Sequence, residues 1–285
     1  MPNSRRSTGR SWIPSTRQSC RGSVMRTSAL PEATRRVLER AGRVVDLATD
    51  HLLIGGTAMT LHVAHRVSED LDFVQFGKEL DRARIGRILT QLRAAEPPEL
   101  VTSLVARQHF DNEGYDIDDV HQDWMVDGVK VTFFCPDRRE ELDVLKKAAP
   151  ESHGAVPVAD LDTIFRLKAM VVAERWTSRD AFDLLHFVER QGRSMSEIDE
   201  VLRLKRPHYP FDSRMGLLTR PFTSFDPGFQ SIEPNAPQTM AELAERMKAT
   251  VNGYMRKTKK AALSSVSKGM DDLPPPDARD TSRER

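Results

Sequence analysis

Residues 52–76, LLIGGTAMTLHVAHRVSEDLDFVQF, combine an apolar run, a Gly-Gly-Thr turn, an apolar-striped segment and an Asp-x-Asp pair. The apolar run at 52–54 predicts a short buried strand, because a turn signal bounds it. Gly55 and Gly56 allow a tight turn and a close approach of the backbone to a ligand. Thr57 is predicted to open a helix, whose free N–H groups and hydroxyl are suited to hold a phosphate.

The Asp-x-Asp pair consists of Asp70 and Asp72. In a strand both carboxylates project from one face, about 6–7 Å apart. At that separation they repel by about 2–3 kcal/mol at an effective dielectric near 20, and a divalent cation would remove the repulsion. Such a pair also occurs on solvated sheet faces. Since aspartate is a poor strand former and a phosphate-binding turn lies in the same unit, the pair favours metal-dependent chemistry on a nucleotide.

A second segment, DLDTIFRLKAMVVAE at 160–174, has its apolar residues at helical spacing. Lys168 falls on or beside that apolar stripe. Either its stem covers the stripe, or its ammonium group meets phosphate in a cleft. In the next segment, SRDAFDLLHF, Asp180 and Asp183 are three residues apart and share one helical face. The simpler alternative for Asp183 is a surface ion pair with Arg179, four residues earlier.

Together the two segments resemble the motifs of the AbiEii/AbiGii group of nucleotidyltransferase-like toxins, within the polymerase-beta-like nucleotidyltransferase superfamily. The first motif of that group is a Gly-Gly-Ser/Thr turn, then an Arg and a Ser/Thr, then Asp-Leu-Asp. The downstream motif is a Lys followed by Arg-Asp-x-x-Asp-Leu. The matching positions are Gly55, Gly56, Thr57, Arg66, Ser68, Asp70 and Asp72 in the first motif, and Lys168, Asp180 and Asp183 in the second.

The resemblance implies a role for each matching residue. The Gly-Gly-Thr turn, with Ser68 nearby, would bind the triphosphate of an NTP, and Asp70 and Asp72 would bind Mg²⁺. Arg66 would neutralise phosphate charge or support the structure. The residues of the second motif would complete the active site, the lysine by meeting phosphate and the aspartates by supporting catalysis.

One position departs from the superfamily pattern. Many members carry a third metal-binding carboxylate on a neighbouring strand, and the obvious candidate strand here is VKVTFFC at 129–135. Its alternate positions Lys130, Thr132 and Phe134 face one way, so Thr132 stands where an aspartate is expected. Either an aspartate of the second motif substitutes, or the metal site is weakened and the protein is a pseudoenzyme.

The resemblance also implies a fold and a function. The expected fold is α/β (α+β), a polymerase-beta-like nucleotidyltransferase core with a mixed sheet flanked by helices, followed by a mainly helical C-terminal half. The expected function is that of a magnesium-dependent nucleotidyltransferase toxin of a type IV-like toxin–antitoxin or phage-defence pair. The acceptor would be a tRNA 3′ end, and a cognate antitoxin protein would be a partner. Two alternatives stay open: a catalytically inactive binding protein on the same scaffold, and nucleotidyl transfer to a protein or small molecule.

Composition is that expected of a cytoplasmic protein with no membrane partner. Lys and Arg number 43 against 42 Asp and Glu, a net charge of +1, so the global charge carries no signal for nucleic-acid binding. The two cysteines, Cys20 and Cys135, form neither a zinc-binding pattern nor a disulfide framework. No apolar run approaches membrane-spanning length.

The chain is expected to divide into four parts. Residues 1–30 are basic, contain no acid and are expected to be disordered. They resemble a transit peptide or an over-extended gene start ahead of Met25. Residues 31–157 would form the nucleotidyltransferase core and 158–256 a helical domain that completes a cleft. Residues 257–285 would form a disordered tail.

Within these parts, strands are predicted at 100–107, 120–126 and 129–135. Asp127 and Gly128 would form a hairpin turn between the last two. Further helices are predicted at 32–48, 80–95, 138–148, 196–205 and 239–254.

Overall fold

A seven-stranded mixed sheet forms the centre of the computed structural model, which describes residues 25–271. The strand order across the sheet is β3-β4-β5-β2-β1-β7-β6. The strands are β1 (His51–Ile54), β2 (Leu71–Gln75), β3 (Glu99–Leu100), β4 (His121–Val126), β5 (Val129–Phe134), β6 (Glu151–His153) and β7 (Val156–Val158).

The helices surround this sheet and continue beyond it. They are α1 (Glu32–Ala41), α2 (Gly55–Val63), α3 (Arg82–Leu92), α4 (Leu104–Asn112), α5 (Arg139–Leu145), α6 (Leu161–Val171), α7 (Ser178–Arg190), α8 (Met195–Lys205), α9 (Phe211–Leu217) and α10 (Met240–Asp271). The expected α/β fold, with a mixed sheet followed by a mainly helical second half, is confirmed.

The central strands are held by apolar side chains on the face opposite the cavity described below. Leu53 of β1 and Phe73 of β2 are Cα partners, and Phe73 stacks on Phe133 of β5 with ring centroids 5.5 Å apart. All three side chains are fully buried. Because strand side chains alternate between faces, this packing directs Asp72 and Thr132 to the other face.

The register places one row of residues across four strands. Asp72 of β2 is the Cα partner of Ile54 on β1 and of Thr132 on β5. Thr132 is in turn the partner of Asp123 on β4. The pairing of β2 with β5 is parallel, whereas the other two pairings are antiparallel. This row is the floor of the candidate site.

The helical half packs through aromatic side chains. Phe165 of α6 meets Phe187 of α7 edge to face, with ring centroids 5.3 Å apart. Helix α9 lies in a Pro- and aromatic-rich stretch, and its Phe211 packs against Tyr254 of α10 at 5.7 Å. The proline before Phe211 suits a helix start, because its fixed φ is compatible with the first turn.

The prediction of a strand at 100–107 was wrong. Strand β3 ends at Leu100, and helix α4 begins at Leu104. The side chain of Ser103 accepts a hydrogen bond from the backbone N–H of Ala106, which caps the helix. The first helix is also shorter than predicted, since α1 ends at Ala41.

The expected boundaries of the two termini also need correction. Helix α10 continues to Asp271, so residues 257–271 of the expected disordered tail are helical. The segment KTKKAA at 257–262 consists mainly of Lys and Ala, which favour helix. At the other end, residues 27–29 form a 3-10 turn, and Leu30 is buried. Residues 1–24 and 272–285, with Cys20, lie outside the described residues, and the division at residue 157 stays a prediction.

Within residues 25–271, no helix is both long and apolar enough to cross a membrane.

Candidate active site

A cavity of about 500 Å³ lies between the sheet face that carries the four-strand row and helix α6. This volume is in the range of small-molecule sites. One wall is apolar, with Ile54, Phe134, Ile164, Leu167 and Val171. The polar lining consists of Gly55, Asp72, His121, Asp123, Lys130, Thr132, Lys168, Glu174 and Arg175.

Asp72 is the acid at the centre of the cavity floor. It is half-buried, and none of the described residues donates a hydrogen bond or forms an ion pair with its carboxylate. Burial, followed by repulsion from Asp70, raises the pKa of Asp72 above its ordinary value. A carboxylate in this state favours a cation next to it, because the cation would offset both effects.

Gly55 holds the strand-to-helix turn beside this acid. Its φ is +77°, a left-handed conformation that favours glycine. A Cβ at this position would also collide with the Asp72 carboxylate. Helix α2 begins at Gly55, and the first amides of a helix have no acceptor within it. The turn therefore places the start of α2 at the cavity wall. Its role as a phosphate site stays a prediction.

Asp70 lies just before β2, with 36% of its side chain exposed. Its nearest cation is Arg179, whose Nη1 is 3.9 Å from Asp70 Oδ2. The structure therefore brings Asp70 close enough to Asp72 to affect its pKa, but Asp72 alone of the pair lines the cavity.

Lys168 faces the cavity from helix α6 and is held by two carboxylates. Its Nζ lies 2.8 Å from Asp183 Oδ2 and 3.0 Å from Asp180 Oδ1. Burial alone would lower the pKa of Lys168, but Asp183 and Asp180 outweigh it and raise the pKa. Lys168 is therefore a fixed cation at the cavity wall, and the ion pairs explain why it tolerates burial.

Asp183 lies behind Lys168 with no exposed side-chain surface. Arg66 donates to both of its oxygens, from Nε at 2.6 Å and Nη2 at 2.9 Å, and His65 Nε2 lies 2.7 Å from Oδ1. Burial would raise the pKa of Asp183, but Arg66, Lys168 and His65 hold it well below its usual range. Asp183 thus joins the first motif to the second through a buried ion network.

Gly56, Thr57 and Ser68 of the first motif face the protein interior and not the cavity. The Thr57 hydroxyl donates to the backbone carbonyl of Asp70, and its oxygen lies 3.1 Å from Ser68 Oγ, whose hydroxyl can donate to it. Thr57 and Ser68 are buried, and a Cβ at Gly56 would collide with Ser68 and Arg66. These side chains fix the loop that carries Asp70, and of the Gly-Gly-Thr turn only Gly55 lines the cavity.

Sequence reasoning missed Asp123, an acid that lies beside Thr132, the position where a carboxylate was expected. The Thr132 hydroxyl donates to Asp123 Oδ1 at 2.6 Å, so the acid stands one strand further on, on β4. His121 Nε2 lies 3.3 Å from Asp123 Oδ2, and Lys130 Nζ lies 3.9 Å from Oδ1. The hairpin signal at Asp127-Gly128 could have found this residue, because a two-residue turn pairs position 123 with 132.

Arg175 supplies another cation at the cavity mouth. Its Nε donates to Asp180 Oδ2 at 3.2 Å, and 61% of its side chain is exposed. Asp180 is itself buried, and its pKa is lowered because Lys168 and Arg175 outweigh the effect of burial. Asp180 therefore orients two cations toward the space in front of Asp72.

A family model described as "Nucleotidyl transferase AbiEii toxin, Type IV TA system" matches residues 36–276. This span contains the whole cavity and both motifs. The chain belongs to the AbiEii toxin family. It is accordingly a nucleotidyltransferase, with an NTP as substrate and an antitoxin as the partner that a type IV system implies.

Other proteins resemble this AbiEii-family chain more distantly. The protein aq_aa25 of Aquifex aeolicus (strain VF5) is 22% identical over 227 residues, which cover 79% of this chain and 98% of that protein. JHP933 from Helicobacter pylori is 15% identical with a TM-score of 0.43, covering 84% of this chain and 98% of that one. MenT4, a nucleotidyltransferase toxin from Mycobacterium tuberculosis H37Rv, is 14% identical with a TM-score of 0.43, covering 78% and 84%.

The donor set of the AbiEii-family site fits a magnesium ion that is completed by substrate. Among the described residues, no group of three or more His, Cys, Asp or Glu side chains is placed to hold a metal without other ligands. Mg²⁺ in nucleotide enzymes, however, is bound by one or two carboxylates together with waters and substrate phosphates. Asp72 meets that requirement, because it is a half-buried carboxylate that faces the cavity and lacks a protein partner.

Proposed function

We propose that this protein transfers a nucleotide from an NTP, with Mg²⁺, to the 3′ end of a tRNA. The observation that carries the proposal is the arrangement of Asp72 and Lys168, an unpartnered acid and a fixed cation that line the same cavity. The acid suits a metal–triphosphate, and the cation suits phosphate charge. An NTP and tRNA meet in the cytoplasm, where we propose that the protein acts in phage defence.

Asp70 and Asp72 are the proposed magnesium ligands. When bound, the ion neutralises triphosphate charge and polarises the α-phosphorus for attack by the acceptor hydroxyl. Gly55 keeps the space above Asp72 free of side-chain atoms, and the first amides of α2 donate hydrogen bonds to phosphate oxygens. Asp70 would join Asp72 at the ion from the loop that Thr57 and Ser68 fix.

Lys168 stabilises the negative charge that develops on the triphosphate as pyrophosphate leaves. Its ammonium group has three N–H donors and contacts two carboxylates, so one donor remains for a phosphate oxygen. Asp180 and Asp183 hold the ammonium group in this position. We therefore assign Asp183 a positioning role, because a fully buried carboxylate that accepts from Arg66, His65 and Lys168 has no surface for an acceptor hydroxyl or a metal ion.

The proposal is tested by incubating the purified protein with α-phosphate-labelled NTPs, Mg²⁺ and total tRNA. We expect label on tRNA with the wild-type protein and a loss of transfer with Asp70→Ala and with Lys168→Ala. Lys147→Ala is the matched control, because Lys147 is exposed and lies outside the cavity. Equal transfer by the wild type and both site variants would overturn the residue assignment. Label on protein or on a small molecule would overturn the acceptor.

A further inference from the structure

Strand β4 contributes a second polar group to the cavity, distinct from the two family motifs. His121 and Asp123 are two residues apart on one strand face, and both line the cavity. His121 Nε2 lies 3.3 Å from Asp123 Oδ2, and the Thr132 hydroxyl donates to the other oxygen, Oδ1, at 2.6 Å. Thr132 thus fixes one oxygen of the Asp123 carboxylate, and the other oxygen contacts the imidazole of His121.

Asp123 is an anion in this setting. Burial raises its pKa, but the hydrogen bonds from His121 and Thr132, with the charge of Lys130, lower it to about 2. Lys130 contributes as a neighbour at 3.9 Å. An ionised acceptor beside Nε2 favours the imidazole tautomer that carries its proton on Nε2, which leaves the lone pair on Nδ1.

The position of Asp123 separates it from the proposed metal ligands. Asp72 and Asp123 stand two strands apart with Thr132 between them, so their Cα atoms are about 9–10 Å apart. Thr132 and His121 contact both oxygens of Asp123, whereas none of the described residues donates to the carboxylate of Asp72. The floor of the cavity therefore carries an acid on β2 that has no partner in the described part of the chain and a partnered acid on β4.

We propose that His121, held by Asp123, is the general base that takes the proton from the acceptor hydroxyl. This inference rests on the proposed nucleotidyl transfer. The hydroxyl oxygen forms the new bond to the α-phosphorus, while the bond from that phosphorus to the β-phosphate oxygen breaks and pyrophosphate leaves. The hydroxyl proton passes to Nδ1 of His121. The resulting imidazolium is stabilised by Asp123, which remains ionised, as in other histidine–carboxylate pairs.

This arrangement explains why a threonine stands at position 132. Its hydroxyl donates to Asp123 and thereby directs the other carboxylate oxygen to the histidine. An acid at position 132 would instead place a second negative charge against Asp123, its Cα partner, at a cost set by like-charge repulsion. The departure at Thr132 and the dyad on β4 are then parts of one arrangement, in which Asp123 and Thr132 are positioning residues.

The test compares kcat for labelled transfer and the Kd of the Mg²⁺–NTP complex in wild type, His121→Gln, His121→Ala, Asp123→Asn and Thr132→Val. His109→Gln is the control, because His109 is exposed on α4, away from the cavity. We expect His121→Gln to lower kcat by about 10²–10⁴-fold, the usual contribution of a general base, with Kd unchanged. Asp123→Asn and Thr132→Val lower kcat less.

Recovery of kcat on addition of imidazole distinguishes a His121 that transfers a proton from a His121 that only supports the structure. His121→Ala opens space in the cavity wall, and free imidazole is expected to restore part of kcat in this variant and not in Asp123→Asn. A wild-type kcat in His121→Gln, or no rescue of His121→Ala, overturns the dyad while leaving the nucleotidyl transfer intact. A wild-type protein that labels no acceptor overturns the proposed function, and with it the dyad.

Discussion

The ammonium group of Lys168 lies 2.8 Å from the carboxylate of Asp183, on two helices that the chain joins by a short loop. The same carboxylate accepts two hydrogen bonds from Arg66, which belongs to the first motif. Asp183 therefore ties Lys168 to the loop that leads to Asp70. Removing its charge affects both the stability of the fold and the position of the lysine.

Asp183→Asn is predicted to destabilise the protein. The substitution leaves Arg66 and Lys168 buried without their shared counter-charge, and breaking a buried pair in this way costs about 3–5 kcal/mol. Urea unfolding measures the change. Asp212→Asn is the control, since Asp212 pairs with Lys259 at the surface and surface changes stay within about 0.5 kcal/mol. Equal stability of Asp183→Asn and wild type would contradict the buried network.

The stability of the protein is predicted to decrease as the pH falls from about 6.5 to about 4. Burial lowers the pKa of His65 to about 4 and outweighs the contacts with Asp183, whereas the unfolded chain keeps a value near 6.5. Between these values the unfolded state binds a proton that the folded state does not, so acid favours unfolding, by about 3 kcal/mol over the full window. Asp180 and Asp183 have lowered pKa values, so protonation of these two carboxylates destabilises the protein only below about pH 4.

His65→Gln tests this window, because the amide can still donate to Asp183 but does not titrate. The free energy of unfolding of His65→Gln is expected to change less than that of the wild type between about pH 7 and about pH 5. If the two proteins lose the same stability over that range, a group other than His65 carries the dependence.

Gly55→Ala is predicted to lower transfer activity beyond its effect on stability. The residue has a φ of +77°, and its new methyl group would displace the Asp72 carboxylate. Gly114→Ala is a matched control, because Gly114 has a φ of +79° and open space around it. Both variants lose about 1 kcal/mol from the strained backbone, measured by thermal unfolding. Only Gly55→Ala should lose kcat/KM, and an equal kcat/KM in the two variants would show that Gly55 has no role beyond its backbone conformation.

Much of the site was predictable because short-range patterns determine it. The Gly-Gly turn, the alternation around Asp72 and the hairpin at Asp127-Gly128 each depend on a few neighbouring residues. Asp127 and Gly128 both have positive φ, 48° and 79°, which is the conformation that an Asp-Gly hairpin favours. The same hairpin fixes the pairing of Asp123 with Thr132, so the acid on β4 follows from local geometry once the register is counted.

The orientation of the buried polar side chains was not predictable in this way. Asp183 meets Arg66 across 117 positions of sequence, and no spacing rule reports whether such an aspartate faces a cleft or an ion network. Thr57 likewise turns its hydroxyl to Asp70 and Ser68, although its place at a helix start is equally compatible with phosphate binding. Helical periodicity places a residue on a face, whereas tertiary contacts decide what that face meets.

The fate of two labels in a reaction with tRNA and Mg²⁺ distinguishes nucleotidyl transfer from other uses of an NTP. With an α-phosphate-labelled NTP, the wild-type protein is predicted to label the tRNA 3′ end. With a γ-phosphate-labelled NTP, the label is predicted to appear in pyrophosphate. Asp72→Asn, which keeps the shape of the carboxylate and removes its charge, should abolish both. Transfer of the γ-label to an acceptor would rule out nucleotidyl transfer, and full α-label transfer by Asp72→Asn would rule out a role for the Asp72 charge in it.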